Sequence, residues 1–303
     1  MNMSMPKKVI VGEVCPRDGW QNHPVQIPTE KKIEYIKKMV DYGSKRIEIT
    51  SFVNPKYVPQ MGDAKDVYSG VRDYLNERNV KAFALTLNKR GVDDARAAGF
   101  TNVEFVLSAS EEHNLRNSRR TIQESLDAFK GLAAEADGLD IMLCMPCVFG
   151  SPFGDEVPLD RIKWLVDEAL SVGVTEFGIA DTAGISNPEN TSRVLRAMKE
   201  YVDVDRISLH MHDTYGMGLA NIYAALEEGI TIMDASLGGM GGCPFAPGAK
   251  GNIAMEDLIY MLHDMGIETG YDLAKINQTA IDMAADIQAT LTSCQANLCQ
   301  HHD

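Results

Sequence analysis

Two imidazoles two residues apart, His210-Met211-His212, are the part of this sequence best suited to chemistry. They close an apolar run, residues 207–212, that reads as a β-strand, and side chains two apart in a strand share one face. Both rings therefore aim into one space, which suits chelation of a single divalent cation. Alternatively, one His is a satisfied core residue and the other bonds a loop. A cation held by two neutral imidazoles still needs oxygen ligands to balance its charge. Asp18, at the end of the first strand and next to the eighth if the chain closes on itself, is a natural donor. Mixed imidazole and carboxylate ligands suit Mg²⁺ or Mn²⁺, with Zn²⁺ also possible.

The glycine-rich stretch 238–252 permits backbone shapes closed to other residues. It could be a phosphate cradle, a mobile lid or a long turn. Cys243 within it would put a thiol over the cation, able to move a proton as the loop closes, or would be inert. Cys144 and Cys147 form a C-x-x-C, but a zinc site needs a second pair, and Cys294 and Cys299 are spaced differently. Free buried thiols are the preferred reading for most of the six cysteines. Cys294 and Cys299, near the end, are candidates for redox-sensitive links between chains.

The elements that must position these groups follow from a repeated rhythm. Short β-branched or apolar runs recur at 9–14, 46–50, 81–85, 103–107, 140–145, 176–180, 207–212 and 231–236. Each is followed by a polar loop and a segment of helical period. Helices are expected from Thr29, from Pro188 behind Asn187, and over 255–265. Gly43, Gly99, Gly173 and Gly229 fall where helices should end. Eight units of about thirty residues predict a closed (β/α)8 TIM barrel rather than an open sheet, and no G-x-G-x-x-G follows the first strand. One domain spans 1–303, with the barrel over about 8–270 and a short helical C-terminal extension over about 271–303. Chemistry in such a barrel sits where strands end. Those ends carry Arg17 and Asp18, Glu48, Thr50 and Ser51, Ser108 and Ser110, Asp181 and Thr182, and the His pair. Polar groups at five strand ends, charged or imidazole at four of them, are hard to explain as packing.

The 303 residues are 45% hydrophobic and 24% charged, a composition with a sizeable core. A net charge of −14 argues against a nucleic-acid partner. A small phosphorylated ligand needs only a local basic patch, for which Arg116, Arg119 and Arg120, or Lys89 and Arg90, are candidates. No apolar run spans a membrane and the N-terminus does not look like a targeting segment, so a cytoplasmic location is expected.

Arg17-Asp18-Gly19-Trp20-Gln21-Asn22, the stretch 47–53, Val58-Pro59-Gln60-Met61 and the stretch 209–216 together resemble the 3-hydroxy-3-methylglutaryl-CoA lyase family. The most specific segment is Gly241-Gly242-Cys243-Pro244-Phe245-Ala246, followed by Gly251-Asn252 and Glu256-Asp257-Leu258. The likeness runs from about 9 to 273. R-D-G-x-Q and H-x-H are shared with a wider group that includes isopropylmalate and homocitrate synthases; the cysteine-containing glycine loop narrows the resemblance to the lyases. It implies that Asp18, His210, His212 and Asn252 ligate a divalent metal. It implies that Arg17 stabilises negative charge on the thioester oxygen and that Cys243 protonates the departing enolate. Glu48, Gln21, Asp181 and Asn252 would position ligands and substrate, with Glu256 acting from behind them. Asp18, directly or through water, would take the hydroxyl proton.

The implied reaction is metal-dependent cleavage of 3-hydroxy-3-methylglutaryl-CoA to acetyl-CoA and acetoacetate, by a homo-oligomer (dimer or tetramer) with no organic cofactor beyond the substrate's CoA. Alternatives are a lyase for a related acid such as citramalyl-CoA, a Claisen-type acetyl-CoA condensing synthase, and a barrel that binds acyl-CoA without turning it over. Trp20, His23 and Ser151 depart from the family pattern. Trp20 adjoins the site motif, so a bulkier wall reshaping the pocket for a different acid is expected there.

Overall fold

The computed structural model describes residues 5–136, 138–242 and 251–300. Eight parallel strands close into a barrel in chain order: β1 (Ile10–Glu13), β2 (Arg46–Ser51), β3 (Lys81–Thr86), β4 (Asn102–Val106), β5 (Asp140–Met145), β6 (Glu176–Asp181), β7 (Ile207–Met211) and β8 (Ile232–Ala235). The helices between them are α1 (Thr29–Asp41), α2 (Ala64–Glu77), α3 (Lys89–Ala98), α4 (Glu111–Ser118), α5 (Ile122–Ala134), α6 (Leu159–Ser171), α7 (Pro188–Met198) and α8 (Gly218–Glu227). α9 (Met255–Asp264), α10 (Leu273–Ile287) and α11 (Cys294–Gln300) complete the chain. This is a TIM barrel with C-terminal helices, as the strand rhythm predicts.

Local chemistry accounts for the helix ends. Asn187 caps α7 by accepting from the Asn190 amide at 2.9 Å, with Pro188 next, where a missing N–H costs nothing. Gly43, Gly99, Gly173 and Gly229 all take positive φ just past a helix, as expected of that residue type. Strand ends differ from the sequence expectation by a residue or so. Arg17 and Asp18 lie in the turn after β1, Ser108 and Ser110 lie beyond β4, and His212 follows the last residue of β7.

Alternation along each strand decides which residues face the barrel axis. Glu48, Leu85, Glu104, Met142, Cys144, Gly178, Ala180, His210 and Asp234 line an interior cavity. At the opposite end of the strands, Arg46 pairs with Glu176 at 2.5 Å and Lys81 with the same carboxylate at 2.9 Å. Arg46 also lies 4.3 Å from the centre of the Phe83 ring. This cluster, at the first residues of β2, β3 and β6, fills the bottom of the barrel and leaves the other end for the site.

Candidate active site

The β1–α1 connection begins as one tight turn, Cys15–Gly19, of π-helical form, in which the Gly19 and Trp20 amides reach back five residues to Val14 and Cys15. It turns Arg17 and Asp18 over the barrel mouth. Gly19 is required by close approach: a Cβ there would sit 3.0 Å from Ser236 Oγ and 3.1 Å from Cys15 Sγ. Glu13, fully buried at the end of β1, fastens this turn. It accepts from the Cys15 amide at 2.8 Å, the Leu237 amide at 3.1 Å and the Tyr42 hydroxyl, tying β1 to the start of the glycine-rich stretch. Sequence reading missed Glu13, although a carboxylate closing the apolar run 9–14 is a signal.

His210 and His212 do point into one space, their ring centroids 5.2 Å apart. Ligand atoms of Asp18, His210 and His212 all lie within 4.8 Å of one another. Asn252, forty residues further on, reaches the same place because 251–254 folds back between β7 and β8. His212 bridges Asn252, Ser236 bridges Ala254, and the Asp213 amide donates to the Gly251 carbonyl at 2.7 Å. The described end of the glycine-rich stretch is therefore tied to the sheet. Asn252 donates from Nδ2 to Asp18 Oδ2 at 2.7 Å and to the Met240 carbonyl at 3.0 Å. Its Oδ1 is buried and has no hydrogen-bond partner among the described residues, an oxygen able to ligate a cation. The donor set fits a hard divalent ion: a carboxylate, an amide oxygen and two imidazoles.

Burial and the neighbouring charges prepare Asp18 and His212 for ligation. Burial raises the Asp18 carboxyl, but Arg17 and the two imidazoles outweigh it and hold it down at about 2. It is thus ionised at neutral pH. Burial, then the neighbouring His210, lowers His212 to about 4, so that ring is neutral and its lone pair available. His210 moves the other way: burial opposes its charged form, but Asp234 and Asp18 together raise it.

Arg17 sits among three carboxylates. Its Nη1 donates to Asp18, and its Nε lies 2.7 Å from Glu48 Oε1. Glu104 on β4 adds to the field that keeps the guanidinium charged against burial. Burial pushes the Glu48 carboxyl well above its ordinary value in spite of Arg17. The ladder between β2 and β3 slips between Glu48 and Thr50, a bulge at the level where Glu48 meets Arg17. Gln21 donates to Asp18 Oδ1 at 3.0 Å. Glu104 and Asp234 were missed by sequence reasoning; each is an acidic residue inside an otherwise apolar strand.

Other expected residues have different surroundings. Asp181 is fully buried and accepts from the Ile185 amide at 3.1 Å and the Ser186 amide at 2.9 Å, so it shapes the β6–α7 turn behind Thr182. Burial raises it to about 6 against those amides. Glu256 is also buried and accepts from the Gly238 amide at 2.9 Å. Ser108 and Ser110 tie their loop to the β5–α6 connection, Ser108 donating to the Pro146 carbonyl at 3.3 Å and Ser110 capping α4 and donating to Asp155 at 2.8 Å. Cys144 lines the cavity and Cys147 is buried; burial raises both thiols, Cys147 to about 12, as inert thiols require. Cys294 is exposed. Cys243 lies outside the described residues.

The expectation that departures from the family pattern reshape the pocket is not met. Trp20 is 1% exposed and packs in the core. Neighbours in a tight helical turn point in different directions, and the turn that sends Asp18 to the cavity sends Trp20 away from it. His23 bonds the Ile287 carbonyl of α10 at 2.8 Å, and Ser151 bonds Ser110 at 3.0 Å. None of the three lines the cavity.

The cavity holds about 690 Å³. Arg17, Asp18, Gln21, Glu48, His210 and His212, buried or half-buried, line it. Exposed Arg116, Arg119, Asn22, Asn54 and Tyr57 and half-buried Arg120 line it where it meets solvent. The basic patch expected from sequence therefore belongs to this cavity, with Arg116 paired to Glu112 at 2.7 Å; Lys89 and Arg90, paired with Glu135 at 2.8 Å and Asp94 at 3.7 Å, do not line it. Arg119 takes the left-handed conformation, φ 58°, where α4 ends. That conformation is costly for a side chain and is often found at functional sites.

A profile of the HMGL-like family matches residues 8–283. The chain belongs to the HMGL-like family. This member is 41% identical over 280 residues to the hydroxymethylglutaryl-CoA lyase YngG of Bacillus subtilis, covering 92% of the chain and 93% of that protein. The crystal structure of the Bacillus subtilis HMG-CoA lyase superposes with a TM-score of 0.93 at 39% identity, covering 98% of this chain and all of that one (100%). An HMG-CoA lyase from Acinetobacter baumannii, solved with coenzyme A and 3-methylmalate, gives 0.92 at 35% identity, covering 99% and 98%.

The buried carboxylates behind the site imply a pH effect. Burial raises Glu256 to about 8 and Glu13 to about 7, against their backbone hydrogen bonds. A carboxyl whose folded value is raised stabilises the fold fully below its unfolded value, near 4.5, and loses that contribution as pH climbs to the folded value. The melting temperature is therefore expected to fall between about pH 5 and 8. Glu256→Gln should flatten that fall, as thermal melts across the range would show. An unchanged slope would contradict the protonated state of this carboxyl.

Proposed function

We propose that this family member is a divalent-metal-dependent carbon–carbon lyase that cleaves 3-hydroxy-3-methylglutaryl-CoA to acetyl-CoA and acetoacetate. The observation that carries the reading is the convergence of Asp18, His210 and His212 beside a charged Arg17, in a cavity with a basic outer rim. The names of its relatives at about 40% identity point to the same reaction.

Asp18, His210 and His212 would hold the metal, with Asn252 as the fourth ligand; Mg²⁺ or Mn²⁺ suits this set best, with Zn²⁺ next. When bound, the metal supplies Lewis acidity that lowers the pKa of the substrate hydroxyl. The residues do the rest. Asp18, ionised and at the site, receives the hydroxyl proton directly or through water; so low a pKa makes it a transient carrier. As the carbon–carbon bond breaks, negative charge moves to the thioester oxygen, and Arg17 stabilises it there. Glu48 fixes the guanidinium through Nε, and Gln21 fixes Asp18. Cys243 is assigned the proton donor to the enolate on the strength of the resemblance. Asp181 acts through the β6–α7 turn rather than on the substrate. Arg116, Arg119 and Arg120 would take the phosphates of the CoA.

Because Trp20, His23 and Ser151 lie away from the cavity, they give no reason to favour a different acid. A panel of purified acyl-CoAs with Mg²⁺ or Mn²⁺ tests the assignment. Acetoacetate from the 3-hydroxy-3-methylglutaryl thioester is expected; pyruvate from citramalyl-CoA instead would move the substrate. Condensation of acetyl-CoA with a 2-keto acid, without cleavage, would reverse the reaction class. Binding of acyl-CoA with no product would leave a binding protein.

We read the chain as one barrel domain over about 8–270 with its helical extension. No helix among the described residues is long and apolar enough to cross a membrane, and we place the protein in the cytoplasm as a homo-oligomer, dimer or tetramer.

A further inference from the structure

Asp234 is an acidic residue in the middle of β8, between Met233 and Ala235, with its side chain in the cavity. Its Oδ2 lies 3.5 Å from Nδ1 of His210 on the neighbouring strand. On its other side the parallel ladder sets it opposite Gly12 of β1. A Cβ on Gly12 would overlap Asp234 Oδ1. Gly12 is not among the positive-φ glycines, so its backbone does not need a glycine. A glycine inside a strand weakens it, and the room it makes for Asp234 is a physical reason to have one.

We propose that Asp234 is a positioning residue for His210, and that Gly12 is the notch that seats it. This inference rests on the metal reading above. A neutral imidazole carries one N–H and one lone pair, and the partner of one nitrogen decides which is which. With Nδ1 facing Asp234, the proton is held on Nδ1 and the lone pair is left on Nε2 for the cation. The carboxylate also makes the ring a stronger ligand and fixes its plane. Asp234 is not one of the three clustered ligand groups, and its effect would reach the metal through His210.

The test is Mn²⁺ binding to the full chain, by titration calorimetry and by loss of the free-ion EPR signal, beside the melting temperature of each metal-free variant. Asp234→Ala is expected to weaken Mn²⁺ binding by about 10–100-fold, the usual effect of removing the partner of a ligating histidine. Asp234→Asn keeps an oxygen acceptor for the Nδ1 proton and should recover part of that loss, an ordering that packing alone would not produce. Gly12→Ala, which crowds the carboxylate without deleting it, should weaken binding in the same direction and keeps the test open should Asp234→Ala fail to fold. Affinity unchanged within about twofold in Asp234→Ala or, where that variant does not fold, in Gly12→Ala would overturn the positioning role, provided the unsubstituted protein binds Mn²⁺ and His210→Ala does not. Failure of the unsubstituted protein to bind Mn²⁺ at all would instead overturn the metal reading itself.

Discussion

Replacing Arg17 with methionine is expected to lower kcat for 3-hydroxy-3-methylglutaryl-CoA by about 100–1,000-fold, the scale for losing one preorganised stabiliser of developing charge. The guanidinium is held before substrate arrives, by Asp18 on Nη1 and by Glu48 on Nε, so little reorganisation is needed as the enolate forms. The same change leaves Glu48 buried without its cation. It also removes the cation that holds Asp18 ionised, so the variant should unfold at lower urea. Glu48, whose carboxyl burial already pushes up, meets the loss by taking up a proton, so adding Glu48→Gln should change stability and rate little further. Steady-state kinetics with urea melts on the single and double variants would separate the two effects. A loss of kcat below about tenfold would remove Arg17 from the charge-stabilising role.

His212→Ala is expected to have the second large effect. The backbone bridge between His212 and Asn252 does not depend on the ring, so the fold-back of 251–254 should survive the substitution. What disappears is one of three ligand groups within 4.8 Å of each other. Metal affinity should fall by more than the about 10–100-fold expected for losing only a ligand's hydrogen-bond partner, and turnover should fall with it. Excess Mn²⁺ should restore part of the rate. Undiminished affinity and turnover in this variant would show that the imidazole is not a ligand.

Much of the barrel was legible in the sequence because its strands are short apolar runs at regular spacing, and because glycines and an Asn-Pro pair mark helix ends. The His pair was legible for a simpler reason: two residues apart in a strand means one face, whatever the tertiary fold. Proximity created by closure was harder to see. Asn252 meets Asp18 only because a later segment folds back between β7 and β8, and its role entered through the family resemblance rather than from spacing. Glu104 and Asp234 were passed over because an acidic residue in an apolar strand looks like an interruption until the strand is curved around an axis. Trp20 misled in the opposite sense: adjacency in sequence to Asp18 suggested a pocket wall, but the turn between Cys15 and Gly19 buries it. Asp181 likewise occupies the expected strand end but spends its oxygens on backbone amides.

The central claim is that one carboxylate and two imidazoles meet on a single shared cation without which the carbon–carbon bond is not broken. Stripping the purified protein with chelator and titrating Mn²⁺ back while following acetoacetate tests it directly. Background rate is expected in the stripped protein, with recovery that saturates at one ion per chain. Full turnover by the stripped protein, with the metal content verified by elemental analysis, would contradict it.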